Sequence, residues 1–312
     1  MEKNAAFSRL SGKALSRAGR LPRALFRILL YLFLIMVAFV FLYPFLRMLV
    51  TSVKSYGDLH DMNVNWIPTA FELKNYRVAA HYLDIPIHLM NSLFIAVACT
   101  LGHVLACSYI AYGFARFRFK GRGFLFVVVV FTIILPPQVL ILPQYMQYMN
   151  LGFLNSYLPI VLPTFFGYGL RGGLYIFIFR QFFLSLPAEI EDAAQVDGYG
   201  YMRIYLKIAL PMVRTAILMC VLVSVVWHWN DYFEPSIYLS LTEKLPLPAM
   251  LPDLFGGVRD IYQAILENKL DILVTDGVVM AAITICITPL ILLFAVLQKG
   301  FVQGVERSGL VE

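Results

Sequence analysis

The chain has 312 residues, 60% of them hydrophobic and only 14% charged, with a formal net charge of +6. Soluble domains hold roughly 45–50% and 25%, and here the apolar excess is gathered into segments too long for ordinary core helices, which excludes a pair of soluble domains. The basic residues sit in short clusters beside those segments, where membrane topology explains them better than a nucleic-acid partner does.

Taken in chain order, the first element is a basic segment, 1–27, carrying Lys3, Arg9, Lys13, Arg17, Arg20, Arg23 and Arg27. The apolar run from about Ile28 to Phe45 behind it exceeds the roughly 7–15 residues of a signal peptide's apolar region, and no small-residue cleavage site follows. It reads as a retained first span, 28–50. A bilayer core of about 30 Å needs around 20 apolar residues in a helix. Six stretches meet that need, near 26–50, 89–115, 122–145, 158–180, 212–238 and 277–298. The fold class expected is therefore an all-α polytopic membrane protein with six transmembrane helices. Its parts are a first helix, an external loop 51–88, a core membrane domain 89–298 and a tail 299–312. With an inside N-terminus, seventeen Lys and Arg fall on cytoplasmic segments and six on external ones, while Arg47 and Arg171 lie within spans. Both termini are accordingly expected in the cytoplasm.

The external loops 51–88 and 239–276 carry Trp66, Pro68, Pro246, Pro248 and Pro252 and read as short ordered caps. The cytoplasmic loop 181–211 is longer than the usual connection of about 4–6 residues, and connections past roughly 12–15 are usually functional or disordered. Its composition argues for order. Pro187 suits a first helical turn, Glu189, Glu191 and Asp192 complement the positive end of a helix dipole, and Gly198 can adopt the left-handed conformation that ends a helix. Ala193 and Ala194 leave a patch without bulk where another surface can approach. Beyond Gly198, Tyr201, Ile204, Tyr205 and Ile208 recur at three- and four-residue spacing opposite Arg203 and Lys207, the pattern of an interfacial helix.

This loop resembles the hallmark of ABC importer permeases, E-A-A, two residues, D-G, then about nine residues to I-x-L-P. Asp192, Ala193, Ala194, Asp197, Gly198, Ile208, Leu210 and Pro211 occupy those positions, with Glu191 the preceding acid. Asp192 replaces the usual Glu, and Thr215 stands where many members have Pro. WIP at Trp66 to Pro68, NY at Asn75 and Tyr76, NS at Asn91 and Ser92, AYGFAR at Ala111 to Arg116, RQFF at Arg180 to Phe183, WND at Trp229 to Asp231 and QKGFVQG at Gln298 to Gly304 look like the carbohydrate-uptake branch, specifically the smaller permease of a maltose-type system. The resemblance implies the type I importer permease fold and a half-channel that pairs with a second homologous permease. It further implies two ATP-binding cassette subunits contacted through Glu191, Asp192, Ala193, Ala194, Asp197 and Gly198, and an extracytoplasmic sugar-binding protein. ATP and Mg are then expected on the cassette subunits, with no cofactor, metal or catalytic residue on this chain. A permease for a non-sugar solute and an ion-coupled carrier stay open as alternatives. Against the carrier, no inverted repeat is evident and no Asp or Glu occupies the middle of a span.

Other patterns are weaker. Gly167, Gly169 and Gly172 match G-x-G-x-x-G, but they interrupt an apolar span rather than follow a strand, so a helix break or close packing explains them better than a nucleotide. The only Gly-Lys pair, Gly12 and Lys13, is followed by Ala14, which rules out a P-loop here. Cys99, Cys107, Cys220 and Cys286 lack metal or redox spacing and read as packing residues. The five histidines are scattered without metal-ligand spacing. Arg171 is an ionisable group inside a span, costly unless it faces a cavity or partner. Together with Asn230 and Asp231 it is the candidate lining of the translocation path. Trp227 and Trp229 are candidates for stacking on a sugar or for the interfacial belt.

Overall fold

The computed structural model describes residues 20–169, 171–257 and 274–308. The basic segment 1–19, the part of the second external loop at 258–273 and the tail end 309–312, on which some expectations fell, lie outside the described residues. Among the described residues there is helix and loop and no strand. The contacts divide the chain into two compact units, Met1–Leu73 and Lys74–Glu312.

The first unit holds α1, Arg20–Ser52, and a short α2, Tyr56–His60. α1 is apolar all round, as a helix in lipid must be. The segment after it is an ordered cap. Lys54 donates to the carbonyls of Val64 at 2.6 Å and Asn65 at 2.9 Å, and Arg47 reaches the Asn65 carbonyl at 2.6 Å. The carboxylate of Asp58 accepts from the Thr69 hydroxyl at 2.6 Å and the Thr69 N–H at 3.0 Å. Trp66 of the WIP motif sets its ring edge-on to Tyr43, with centroids 5.3 Å apart.

The second unit begins with α3, Lys74–Tyr82, and the long α4, Ile85–Arg116. Helices α5, Arg122–Ile134, and α6, Pro137–Asn150, follow, bent against each other by 101°. The bend falls at Leu135 and Pro136: Pro136 and Pro137 cannot continue a helical hydrogen-bond ladder but suit the start of a new helix. α7, Leu158–Val161, runs into a 3₁₀ turn, Leu162–Phe166, and α8, Gly172–Ser185, resumes after a left-handed turn at Gly167, Gly169 and Arg171. α9, Ala188–Val196, lies at 74° to α8. α10, Tyr201–Met212, contains a π-helical turn at Tyr205–Ala209 and meets α11, Arg214–Asn230, at 76°. α12, Phe233–Tyr238, α13, Leu251–Gly257, and α14, Asp276–Ser308, complete the unit.

Three helices, α1, α4 and α14, are long and apolar enough to cross a membrane unbroken, and the three bent pairs bring the number to as many as six. The third stretch, expected as a span 122–145, is interrupted at Leu135 and Pro136, and the fourth, 158–180, breaks at the glycines for which a helix break or close packing was expected. The fifth, expected to reach 238, ends its main helix at Asn230.

Packing centres on α4. Cys107, Ala111 and Tyr112 bury against Tyr175, Phe179 and Phe183 of α8 and against Tyr205, Ala209, Ala216 and Cys220 of α10 and α11. A second cluster joins Ala79 of α3 and Leu83 just after it to Leu247 and to Val278, Ala281 and Ala282 of α14. The NS motif ties these together. Asn91 donates to the carbonyls of Glu243 at 2.8 Å and Leu245 at 3.0 Å, and the Ser92 hydroxyl accepts from the Leu247 N–H at 2.7 Å. All four cysteines are buried thiols, as expected of packing residues.

Candidate functional site: the cytoplasmic helix and the cavity at the helix breaks

α9 is short, but both its ends are set. Pro187 holds extended backbone immediately before it, and Glu189 and Glu191 occupy the first turn, where the helix dipole favours negative charge. At the other end Gly198 takes φ near +84°. The Gly198 N–H bonds the Gln195 carbonyl at 3.0 Å and the Tyr199 N–H bonds the Ala194 carbonyl at 3.0 Å. This is a complete Schellman termination. A Cβ at Gly198 would meet nothing within 4 Å, so the glycine is demanded by backbone angle and not by space inside this chain.

Two residues of the expected contact set, Glu191 and Ala194, lie on the inner face of the helix. The Glu191 carboxylate accepts from the Arg116 Nε at 2.7 Å and from the Tyr112 hydroxyl at 2.9 Å, and Arg116 also donates to the Leu186 carbonyl at 3.0 Å. Ala194 is buried beside it. The reason is register: Glu191 and Ala194 are three residues apart and share the helix face that lies on the membrane domain. Asp192, Ala193, Asp197 and Gly198 remain exposed, together with Ile190 and with Val196, which is 88% exposed. AYGFAR thus supplies both partners of Glu191. In α10, Ile204 and Tyr205 are buried and the Tyr205 hydroxyl bonds Ser108 at 2.8 Å, so this expected interfacial helix rests firmly on α4.

Within the membrane the two interrupted helices face one cavity of about 330 Å³. Its wall includes Thr132 of α5, Leu135 at the bend, Pro137 and Gln144 of α6, the turn with Tyr168 and Arg171, and Glu234. Each break lies about 20 Å along its helix from the cytoplasmic end at 1.5 Å per residue, inside the hydrocarbon depth. Irregular backbone there is tolerated only where protein buries it or a cavity hydrates it.

Arg171 caps α8 in the left-handed region with φ of 67°, a conformation costing about 1–2 kcal/mol for a residue with a Cβ. Its guanidinium lies 4.2 Å from the centroid of the Trp227 ring, and its Nε is buried without a hydrogen-bond partner. A cation at this depth costs at least about 2.5 kcal/mol on insertion scales, which stacking on an aromatic face offsets only partly. The structure therefore brings Arg171 to a cavity, as its chemistry requires.

Asn230 and Asp231 are not in that wall. The Asn230 side chain bonds the Val226 carbonyl of its own helix at 2.8 Å. Asp231 accepts from the N–H groups of Phe233 at 3.0 Å and Glu234 at 3.3 Å and so caps α12. Its part is to fix the helix that carries Glu234 to the cavity. Gln144, Tyr168 and Glu234 escaped the sequence reading as a group, although the Pro136–Pro137 pair signalled the break beside them. Gln144 is itself oriented, donating to the Tyr168 hydroxyl at 2.7 Å. Trp229, a candidate for sugar stacking, is buried and donates to the Cys286 carbonyl at 3.0 Å, joining α11 to α14.

Two scattered histidines meet in the core. His103 and His228 lie with ring centroids 5.2 Å apart around the Ser224 hydroxyl, which Thr100 also bonds at 3.0 Å. No group of three metal-ligating side chains occurs among the described residues.

Residues 104–307 match the family described as the binding-protein-dependent transport system inner membrane component. A probable ABC transporter permease protein, YurM of Bacillus subtilis, is 30% identical over 282 residues, covering 90% of this chain and 86% of the relative. The arabinooligosaccharides transport system permease protein AraQ of the same organism is 28% identical over 289 residues, covering 92% and 96%. The fold is that of a chain in the crystal structure of a bacterial ABC transporter involved in the import of the acidic polysaccharide alginate, with a TM-score of 0.75 and 24% identity over 88% of this chain and 96% of the other. An extended cytoplasmic helix hallmark, a bent six-span layout and these matches agree: the chain belongs to the inner membrane components of binding-protein-dependent transport systems, the permease subunits of ABC transporters.

Proposed function

We propose that this permease forms half of the pathway of an ATP-driven importer for a sugar or oligosaccharide delivered by an external binding protein. A second homologous permease completes the pathway, and two ATP-binding cassette subunits bind ATP and Mg and hydrolyse the nucleotide beneath it. The carbohydrate assignment is supported by the relative named for arabinooligosaccharides and by the WIP, NS and WND motifs. The path of the solute passes Arg171, with Asp231 holding Glu234 in place and Asn230 outside the cavity wall.

One observation carries the coupling mechanism: α9 is a helix with both ends set, held to α4 by Glu191, that exposes Asp192, Ala193, Val196 and Asp197 to the cytoplasmic side. Such a helix moves as a unit where a flexible loop would absorb motion. The exposed face is the contact with a cassette subunit, and Glu191 relays its displacement to the spans from the inner face.

The test is reconstitution with the ATPase and partner permease encoded beside it, comparing Gly198→Asn with Gly198→Val. Asn tolerates the left-handed conformation and Val does not, so sugar-stimulated ATP hydrolysis is expected to survive the first and fall at least about tenfold in the second, the effect of about 1.4 kcal/mol. Full stimulation in Gly198→Val would refute the coupling role of this helix, and failure to associate with any ATPase would refute the importer reading.

A further inference from the structure

We propose that the cavity between the two helix breaks binds the anionic group of a sugar acid or sugar phosphate, with Arg171 as its cationic wall. The inference rests on the sugar-importer reading above and adds the class of sugar.

Three independent features converge on that cavity. The first is a cation held without a counter-ion. Among the described residues no carboxylate pairs with Arg171; the guanidinium is kept in place by the Trp227 ring, and its Nε has no hydrogen-bond partner. Held from one face by an aromatic ring, a guanidinium keeps its edge free for a planar or tetrahedral anion.

The second is backbone cost. Arg171 occupies a left-handed position in a stretch where Gly167 and Gly169 take positive φ and Gly172 and Gly173 follow directly. Glycine would hold that turn without strain, so the side chain is what the position retains. The third is the direction of the half-helices. α8 starts at Gly172, directly after its cap Arg171, and α6 starts at Pro137, all residues of the cavity wall, so the positive ends of two helix dipoles meet there.

The rest of the lining is different. Glu234 and Gln144, from other segments, and Tyr168 of the same turn offer acceptors and an amide, and no ion pair joins Glu234 to Arg171 among the described residues. A ligand with an anion for Arg171 and hydroxyl donors for the remaining groups satisfies both; a neutral sugar leaves the cation unanswered. The volume of about 330 Å³ is at the small end of the roughly 300–1,000 Å³ of ligand pockets, room for a terminal residue rather than a long chain.

The experiment uses the assembled importer in nanodiscs without nucleotide or binding protein. D-glucuronate, D-glucose 6-phosphate and neutral D-glucose are titrated, with binding read by calorimetry and by the fluorescence of Trp227, isolated as the difference from a Trp227→Phe complex. The two charged sugars are expected to bind at least about tenfold more tightly than glucose. That ratio is expected to collapse towards one in Arg171→Gln and to persist in Arg171→Lys. Whether carboxylate or phosphate is preferred is read from the two charged arms.

Equal affinity for charged and neutral sugars in the unaltered complex, or a preference unchanged in Arg171→Gln, would overturn the proposal. So would zwitterionic glycine betaine binding more tightly than either charged sugar. If Arg171→Gln fails to assemble, the charged-to-neutral ratio in the unaltered complex and in Arg171→Lys still decides. Transport of neutral sugars with no binding at this cavity would remove the site and leave the importer reading standing, whereas transport of no sugar at all would remove the reading beneath it.

Discussion

Glu191 shows how one side chain can change part without changing element. Its carboxylate is half of an ion pair whose side chains are 15% and 9% exposed, with Tyr112 as a further donor. Removing one partner of such a pair leaves the other uncompensated, so Glu191→Ala is expected to cost about 3 kcal/mol. Arg116→Ala should cost a similar amount and the double variant clearly less than the sum, a coupling measurable from thermal unfolding of the purified complex. Glu191→Gln keeps an acceptor for Tyr112 and should fall between. Equal and additive losses would show that the two groups do not act as a pair. Gly172 offers a contrasting case, decided by space. A Cβ there would sit 2.5 Å from the Gly167 carbonyl oxygen. Gly172→Ala should therefore destabilise by about 1–3 kcal/mol, while Gly113→Ala in α4, where a Cβ meets nothing within 4 Å, should be neutral or mildly stabilising. The same unfolding measurement separates them.

Among the elements, the external cap after α1 has its own pH dependence. Hydrogen bonds from Thr69, foremost its hydroxyl, and from Ser55 hold the Asp58 carboxyl below its ordinary value despite its burial. A carboxylate with a depressed folded value stabilises the cap above the unfolded pKa of about 3.9 and loses that contribution as pH falls through the lower folded value. Hydrogen exchange of residues 55–72 is thus expected to stay protected from neutral pH to about pH 4 and to rise only in more acid solution. In Asp58→Asn the same amides should exchange faster at neutral pH and lose the acid-dependent step. Protection with no acid step in the unaltered chain would sink the assignment. The interrupted helices belong at this scale as well. Pro136 and Pro137 make the first break legible from composition, because no helix runs through that pair unbent. The second was legible only as a glycine-rich interruption; that Arg171 takes its final left-handed position with its guanidinium over the Trp227 ring is a tertiary contact.

For the molecule as a whole, topology is the testable property. The excess of Lys and Arg on one set of loops places the turn 117–121 in the cytoplasm and the cap around Met62 outside. Cys introduced at exposed Lys120 or at Met62, itself 92% exposed, should be labelled by a membrane-impermeant maleimide from opposite sides. The four native thiols are buried and should stay silent in the folded protein, so no cysteine-free background is required. Labelling of both positions from one side would refute the orientation and with it the cytoplasmic place of α9.

Hydrophobic run length was enough to determine that the chain spans a membrane, and basic-loop asymmetry with the D-A-A, D-G spacing set the orientation expected and the helix proposed to meet an ATPase. These are properties of contiguous residues, governed by transfer into lipid and by local helix capping, and need no knowledge of neighbours. Tertiary structure decided the rest. Glu191 faces inward because Tyr112 and Arg116, some 75 or more positions earlier, lie against it. The cavity exists because two breaks from different spans meet, with Gln144, the turn of Tyr168 and Arg171, and Glu234 drawn from three separate segments. Neither arrangement has a sequence period or spacing to reveal it, since contacts between distant segments depend on how helices pack and not on what any one of them contains.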